Sequence, residues 1–286
     1  MKLISFDALR TLHMPGVTYI KPDHFYDRID DIRSADWVLF PEYWQINPIV
    51  YGLKTPVFPS VSSYHLGHDK VEMTRAFRLI TPHNVPFTLI EPNTPEVAAR
   101  VWAAMPSPFV AKIPKSSMGN GVFLIETQRD WQAYLAISPI IYAQEYLPID
   151  RDLRIVWAGN QIVGGYWRIQ AEQGFYNNVA QGGQIESGIL PPEATALAER
   201  LALALGIDHG GFDIAMVGHH PYVFEFNRIF GNKGLAGKQQ AVDNAILSYM
   251  YQKSTEFDPL NPNSPPNSPS TVPPYLPTQP PIPEVV

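Results

Sequence analysis

The sequence contains no cysteine among its 286 residues. Disulfide bonds, thiolate zinc sites and a cysteine nucleophile are therefore excluded. Positive charge is also scarce, because 21 lysines and arginines stand against 27 acidic residues and the formal net charge is −6. No basic run occurs along the chain, so the sequence argues against nucleic acid as a partner.

Long apolar runs are missing as well, and no stretch approaches the roughly 20 residues that a membrane-spanning helix needs. The segment from Met1 to Asp7 meets an acid too early for the apolar region of a secretory signal. We therefore expect a soluble, cytoplasmic protein with no membrane association. Because 45% of the residues are hydrophobic, the chain can bury a substantial core in one large or two modest domains.

The stretch from Gly211 to Gly231 carries the most informative pattern. Two apolar runs flank a Gly-His-His-Pro segment, which predicts a hairpin. Because side chains alternate along a strand, Glu225 and Asn227 share a face and can approach Asp213 on the partner strand. Such hard oxygen ligands suit magnesium or manganese better than zinc. The pattern predicts a metal site, and the alternative is a solvent-facing edge hairpin with ordinary surface acids.

A second informative stretch runs from Phe109 to Glu126. An apolar strand that carries Lys112 leads into Lys-Ser-Ser-Met-Gly-Asn-Gly at 115–121, and another strand follows. Glycines let a backbone approach a ligand, and serine and lysine add donors suited to phosphate. The loop predicts a clamp over phosphates, with an ordinary flexible hairpin loop as the alternative.

The pattern from His68 to Leu79 predicts a helix with Asp69 as its N-cap. This places Lys70 in the first turn, where the helix dipole disfavours a cation. Lys70 therefore either meets a nearby anion or is a solvated surface residue.

A buried strand is predicted at 140–148. It can present the carboxylate of Glu145 and the main-chain groups of Tyr146 and Leu147 to a planar base. Further along, two strands around Ala158-Gly159-Asn160 look like core except for three charges, Asp152, Arg154 and Arg168. Other predicted strands are 86–90, 109–113 and 122–126. Other predicted helices are 94–105, with Thr94 as its N-cap, 129–137 and 192–205.

The two ends of the chain are less informative. Residues 1–66 alternate short apolar runs with polar loops, which suggests a small α/β unit, and Tyr43-Trp44 and Tyr64-His65 either line a substrate cleft or belong to the core. From about Thr255 the sequence is rich in proline and predicts a disordered or polyproline-like tail. The histidines lack companions at metal-ligand spacing.

Taken in order, these motifs resemble the ATP-grasp superfamily and, within it, the RimK-type carboxylate–amine ligases. The resemblance covers roughly residues 66–252. It implies an ATP-grasp fold that combines α/β and α+β parts: a small N-terminal α/β domain at 1–66 and an ATP-grasp domain at 67–254. The latter would contain a lid subdomain at about 94–150 and a C-terminal antiparallel sheet, followed by a disordered tail at 255–286.

The resemblance also implies roles for single residues. Those expected to meet ATP are Lys70, Lys112, Ser117, Gly119, Gly121, Glu145, Tyr146, Leu147 and Asp152. Those expected to take part in the reaction are Lys112, Arg168 and Asn178. The ligands expected for two magnesium ions, or for manganese, are Asp213, Glu225 and Asn227.

The implied reaction transfers the terminal phosphate of ATP to a substrate carboxylate, after which an amine displaces phosphate and leaves an amide. The carboxylate would belong to a peptide, a protein or a small molecule, and the amine to an amino acid such as glutamate. A homo-oligomer is one option that the sequence leaves open.

The sequence departs from the RimK-type pattern in one loop. Where the family carries F-R-x-N-L-H-R-G-G, this chain reads F-Y-N-N-V-A-Q-G-G, with Tyr176 for the arginine and Ala180-Gln181 for the histidine-arginine pair. Two rival functions follow, a kinase that stops at the phosphorylated product and a nucleotide-binding protein without catalysis. Phe230 replaces a family proline, a change expected to alter loop shape only.

Overall fold

The structure is a computed structural model that describes residues 1–116, 121–170, 184–231, 233–235 and 237–256. Three sheets form within these ranges. Residues 257–286, which make up nearly all of the predicted tail, lie outside them. None of the helices in the described part of the chain is both long and apolar enough to cross a membrane.

The N-terminal sheet is parallel, in the order β2-β1-β3-β4. Its strands are β1 (Leu3–Ser5), β2 (Val17–Tyr19), β3 (Trp37–Leu39) and β4 (Val57–Phe58). Two helices, α1 (Ile29–Arg33) and α2 (Val61–Leu66), and a π-helical segment at Pro48–Leu53 accompany it. The apolar runs at 3–6 and 37–40 predicted β1 and β3, and the α/β character is confirmed. No apolar run marks β2, which is mostly exposed, and β4 has only two residues.

The second sheet is antiparallel, in the order β5-β8-β6-β7. Its strands are β5 (Thr88–Pro92), β6 (Phe109–Lys112), β7 (Val122–Ile125) and β8 (Ile140–Glu145). The helices of this region are α3 (Lys70–Ile80), α4 (Pro95–Ala104) and α5 (Gln128–Leu135). Helices α4 and α5 bury Val101, Trp131 and Tyr134 against the sheet, so the amphipathic helices cover its apolar face.

Both predicted N-caps in this region are confirmed. The Asp69 carboxylate accepts a hydrogen bond from the Val71 N–H at 2.8 Å, and the Thr94 hydroxyl accepts one from the Val97 N–H at 3.4 Å. These bonds satisfy backbone donors that have no partner inside the helix. The strand predicted at 140–148 ends earlier, at Glu145, because the following residues leave the ladder.

The third sheet is also antiparallel, in the order β11-β10-β9-β12-β13. Its strands are β9 (Arg151–Ala158), β10 (Gln161–Ile169), β11 (Gln184–Glu186), β12 (His209–Val217) and β13 (His220–Asn227). Helix α6 (Pro192–Leu205) covers one face and α7 (Gln239–Glu256) the other. The predicted bounds of α6 are confirmed, whereas α7 had no counterpart among the predictions.

The hairpin predicted between β12 and β13 is present, with a tighter turn than expected. Only Gly218 and His219 lie outside the strands, and His220 and Pro221 already pair with β12. Gly218 has a φ of 61°, a left-handed conformation that glycine adopts without strain.

The N-terminal sheet is joined to the third sheet by a buried polar contact. The Ser60 N–H and the Ser63 hydroxyl donate to one oxygen of Asp208, at 2.7 and 3.1 Å. The next residue, His209, lies against Phe40 and Phe58, which belong to the N-terminal part. The domain bounds given above stay predictions, but these contacts hold the first and third sheets together.

Candidate active site

The three predicted metal ligands lie together on one face of the third sheet. Asp213 faces Glu225 across the β12–β13 pairing, and the Asn227 amide nitrogen lies 3.4 Å from an Asp213 oxygen and 3.3 Å from a Glu225 oxygen. Asp213 is only 4% exposed. Asp213 is therefore not a surface acid of a solvent-facing hairpin. The binding of a metal by these side chains stays a prediction.

A β-bulge lets the metal-ligand candidates share one face of the hairpin while the neighbouring apolar side chains still face the core. The pairing shifts between Asp213 and Ile214, so that Ile214 pairs with Val223 and Phe224 becomes the extra residue. Ile214 and Val223 then both face the core beside α6. Bulges re-aim side chains in this way, and they are frequent next to active sites. Simple alternation along the strand did not predict it.

Two arginines complete the charged face. Arg154 lies opposite Asp213 and donates to both of its carboxylate oxygens, through Nε and, at 2.9 Å, through Nη2. Arg168 lies opposite Asp152 and donates to it at 2.7 and 2.8 Å, while its Nη2 is also 3.1 Å from Asp213. Arg154 was noted as a charge on a core strand but received no role.

These contacts set the charge of the buried groups. Burial alone would raise the pKa of Asp213, but the positive charges of Arg154 and Arg168 outweigh it and the pKa lies below its ordinary value. Burial likewise opposes the charge of Arg168, yet Asp213 and Asp152 raise its pKa. Asp213 and Arg168 are therefore both ionised at neutral pH, whereas burial raises the pKa of Asp152 despite the charge of Arg168.

The two predicted phosphate-binding lysines approach the same face from the second sheet and from α3. The Lys70 ammonium donates to the Ser116 carbonyl at 2.5 Å and lies 3.6 Å from Glu225, with 12% of its side chain exposed. A solvated surface lysine is therefore the wrong interpretation. Lys70 instead connects the start of the glycine loop to the carboxylate cluster.

Lys112, at the end of β6, is 6% exposed. Its ammonium lies 5.7 Å from the centre of the Tyr142 ring and 5.3 Å from that of Phe224, the bulged residue. Within the described ranges it forms no ion pair with a carboxylate. Burial lowers the pKa of Lys112 to about 8, with Glu225 and Asp213 acting in the opposite direction. A buried ammonium in these surroundings favours a bound anion.

The predicted clamp over phosphates is described only at its ends. Ser117 and Gly119 lie outside the described residues, and Gly121 lies inside them. The Gly121 carbonyl accepts a hydrogen bond from the Ile113 N–H at 2.7 Å. A Cβ on Gly121 would overlap the side chain of Ser116, so only glycine fits this close approach.

The segment predicted to hold the base follows β8. The Glu145 carboxylate accepts a hydrogen bond from the Phe87 N–H at 2.7 Å, so one of its oxygens is already occupied. Tyr146 and Leu147 are partly buried just beyond the end of the strand. Asn178 and the altered loop at Tyr176, Ala180 and Gln181 lie outside the described residues.

Asp152, the predicted nucleotide-side acid, is turned into the arginine network by its paired hydrogen bonds with Arg168. Arg168 therefore uses Nε and Nη2 within the protein. Among the described residues nothing bonds to its Nη1.

The oxygen set suits magnesium that is bound together with phosphates. Within the described ranges no three histidine, aspartate or glutamate side chains gather as a metal site on their own. Asp213, Glu225 and Asn227 supply two carboxylates and an amide, and magnesium characteristically uses one or two carboxylates together with phosphate oxygens and water. These three side chains therefore fit a magnesium ion that is also bound to phosphate oxygens and water.

The fold and the site together define an ATP-grasp protein. The structure resembles that of the RimK domain protein ATP-grasp from Sphaerobacter thermophilus, with a TM-score of 0.62, 18% identity, and coverage of 87% of this chain and 99% of that one. It also resembles the RiPP-associated ATP-grasp ligase from Chryseobacterium gregarium, with a TM-score of 0.64, 15% identity, and coverage of 88% and 97%. At such identities the likeness shows the fold, as predicted.

The family is shown by the sequence itself. The model of the RimK-like ATP-grasp domain matches residues 76–250, so this chain belongs to that family. A curated relative, the probable alpha-L-glutamate ligase of Picosynechococcus sp., is 29% identical over 174 residues, which cover 58% of each protein. The chain thus spans little more than half the length of the first curated relatives that it matches.

Proposed function

We propose that this protein is an ATP-dependent carboxylate–amine ligase. The observation that carries the proposal is the buried Lys112 ammonium, which has no described carboxylate partner and approaches, from the second sheet, the face that carries Asp213, Glu225 and Asn227. A buried cation that forms no ion pair among the described residues, next to hard oxygen ligands, suits a nucleotide triphosphate with magnesium. ATP use is common to the family, and a magnesium requirement is part of the proposal.

The names of similar proteins favour amide formation. Curated relatives are called probable alpha-L-glutamate ligases, and one similar structure is a ligase in complex with ADP and a leader and core peptide. We therefore propose a peptide, protein or small-molecule carboxylate as one substrate and an amino acid as the other. A cytoplasmic location and a homo-oligomer stay predictions.

In the proposed reaction a carboxylate oxygen attacks the γ-phosphorus of ATP, the bond to the β–γ bridging oxygen breaks, and ADP leaves. An amine then attacks the acyl carbon, inorganic phosphate departs, and the nitrogen loses a proton to give the amide. No protein nucleophile is needed, because phosphoryl transfer depends mainly on positioning and on neutralising charge.

Different described residues would assist different parts of this reaction. Lys112 and Lys70 offset the charge of the phosphates, and Arg168 offers Nη1 to the reacting carboxylate. Bound magnesium would lie among Asp213, Glu225 and Asn227 and would withdraw charge from phosphate oxygens. Two further roles are proposed from the place of the segments in the sequence alone. The glycine loop would exclude water from the site, and Glu145 to Leu147 would bind the adenine base.

The test is magnesium-dependent release of ADP by the purified protein. Each amino acid would be supplied with short acidic peptides, and hydroxylamine would trap an acyl phosphate. We expect one combination to stimulate ADP release and mass spectrometry to show the added residue. A phosphorylated product without an amide would identify a kinase, and binding of Mg-ATP without ADP release would overturn the ligase proposal.

A further inference from the structure

A groove of about 600 Å³ lies between helices α4 and α5, which cover the apolar face of the second sheet. Each helix lines this α4–α5 groove with side chains at helical spacing, among them Pro95, Ala98 and Trp102 from α4, and Gln128, Trp131 and Leu135 from α5. Positions i, i+3 and i+7 share one face of a helix, so one face of each helix borders the groove. The rings of Trp102 and Trp131 meet there, with 6.5 Å between their centres.

The groove offers apolar surface and amide groups without charge. None of its lining residues is charged, and its apolar part combines two tryptophans, a leucine and a proline with three alanines. Gln128 and Gln132 are exposed, and within the described ranges no hydrogen bond engages their side chains. A phosphate or a carboxylate would meet no cation on these walls. The groove therefore suits an uncharged ligand that has apolar bulk and free carbonyl groups.

One donor in the groove wall lacks an acceptor. Trp131 is 1% exposed, and in the part of the chain that the structure describes its indole N–H forms no hydrogen bond. A buried donor without a partner is rare and costly in folded proteins. A carbonyl oxygen in the groove is the kind of acceptor that this N–H lacks.

The proline-rich end of the same chain has the matching chemistry. The stretch at 272–283 reads V-P-P-Y-L-P-T-Q-P-P-I-P, with no charged residue and with prolines at 274, 277, 280 and 283. A polyproline II helix has three residues per turn and no internal hydrogen bonds, so this spacing predicts one face of prolines and free carbonyls. Grooves lined by aromatic side chains bind proline-rich segments of this kind.

The tail is also long enough to reach the groove. Helix α7 ends at Glu256, close to the N-terminal sheet, where the Trp37 indole N–H donates to the Ser254 hydroxyl at 2.9 Å. Residues 257–271 can extend to about 50 Å, which is close to the width of about 45 Å expected of a compact body of about 250 residues. Because the segment is tethered, its local concentration is of millimolar order, so weak contacts suffice to hold it.

We propose that the α4–α5 groove binds residues 272–283 of the same chain as a polyproline II segment. The Trp102 ring would pack on the prolines, and the amides of Gln128 and Gln132 would bond to free carbonyls. The docked tail would tie α7, on the third sheet, to the helices of the second sheet. No residue of the groove belongs to the candidate active site, so the proposal does not depend on ligase activity.

Disulfide trapping in the full chain tests the contact, because the protein has no cysteine of its own. Ala99→Cys places one cysteine in the groove, and a second replaces each residue of 272–283 in turn. A disulfide needs Cα atoms roughly 4.4–6.8 Å apart, so docked positions cross-link fastest. We expect one tail position in every three to cross-link within its own molecule about 10-fold faster than the positions between.

The control cysteine is Ala133→Cys, at an exposed position of α5 outside the groove. It should cross-link slowly and without a period of three along the tail. Trp102→Ala, combined with Ala99→Cys, should reduce the fast cross-links to the level of this control.

Tail variants keep the test decisive even if Trp102→Ala folds poorly, because they leave the groove unchanged. Replacing the prolines at 274, 277 and 280 with alanine should slow cross-linking as much as Trp102→Ala does. The matched control replaces the prolines at 262, 265 and 269, which precede the proposed segment, and should leave the fast cross-links intact.

Three results would each overturn the proposal. They are cross-linking at equal rates along the whole tail, fast cross-links that survive both Trp102→Ala and the changes at 274, 277 and 280, and disulfides that form only between molecules. The last result would show that the tail binds a second copy of the chain.

Discussion

Arg154 and Asp213 lie opposite each other on neighbouring antiparallel strands, and the guanidinium donates to both carboxylate oxygens. Both side chains are buried, at 10% and 6% exposure. Such a pair keeps a carboxylate ionised in a place where burial would otherwise favour the protonated acid. Asp213 is thus held as an anion before any ion or nucleotide binds.

Replacing Arg154 with methionine should destabilise the fold, because the Asp213 carboxylate loses its two-pronged partner inside the protein. We expect the free energy of unfolding in urea to fall by about 3 kcal/mol. The control is Arg151→Met on the same strand, whose arginine is 39% exposed. It should change the free energy by less than about 1 kcal/mol. Similar losses for the two variants would contradict the proposed role of Arg154.

Glu225→Ala should abolish turnover and spare the fold. We expect ADP release to fall by about 100-fold or more, because a proposed ligand of magnesium is removed. The glutamate is 26% exposed and its contact with Lys70 is 3.6 Å, so thermal unfolding should hardly move. Glu72→Ala, at an exposed pair on α3, is the matched control. Normal ATP consumption by Glu225→Ala would refute the metal assignment.

Lys112→Met should lose ATP binding yet make the nucleotide-free protein more stable at pH 7. The pKa of Lys112 is about 8 in the folded protein, against an ordinary value of 10.5. Between these values the unfolded chain binds more protons, so the lysine's contribution to stability rises with pH. The advantage of the variant should therefore be largest near pH 7, at about 3 kcal/mol or less, and shrink towards pH 10.5.

The measurement is urea denaturation of both proteins at several pH values between 7 and 10. The quantity of interest is the difference between the two free energies of unfolding at each pH, because tyrosines that titrate near pH 10 affect both proteins alike. Lys54→Met, at an exposed lysine, should show no such pH-dependent difference. A constant difference across the range, or undiminished ATP binding, would contradict the role given to Lys112.

Asp208→Asn should change how stability depends on pH. Burial raises the pKa of Asp208 to about 7, although Ser60 and Ser63 donate to its carboxylate. The folded state then binds more protons than the unfolded state between about pH 4 and 7, so this contribution to stability is lost as pH rises through 7. Asparagine keeps an acceptor oxygen and does not ionise.

We therefore expect Asp208→Asn to gain stability relative to the unchanged protein from pH 5 to pH 8, by about 2 to 4 kcal/mol. Thermal unfolding over this range checks it, with Asp36→Asn as the control because that carboxylate is 54% exposed. A gain of the same size at every pH would show that the carboxyl group does not titrate in this window.

Local patterns predicted much of the secondary structure. The bounds of α6 and the N-caps Asp69 and Thr94 depend on neighbours within a few residues, and the structure confirms them. Two short strands were not predicted, because β2 is mostly exposed and β4 has only two residues. Helix α7 was missed for another reason: the apolar residues that it buries face two different sheets.

Two expectations changed once packing was known. Tyr64 is fully buried and belongs to the N-terminal core, whereas Tyr43 lines a cavity beside the end of β13. Phe230 does more than shape a loop, because it is buried and stacks on His209 at 5.0 Å. A proline at that position would lose this contact.

The sequence by itself determined the family, the order of most elements and the three candidate oxygen ligands, because these depend on local spacing and residue type. Only the tertiary structure decided how the charges pair. The partners of Asp213 depend on the register of β9 against β12, and the contact between Lys70 and Glu225 joins residues 155 positions apart. Such register is set by packing across whole sheets, which no short stretch of sequence records.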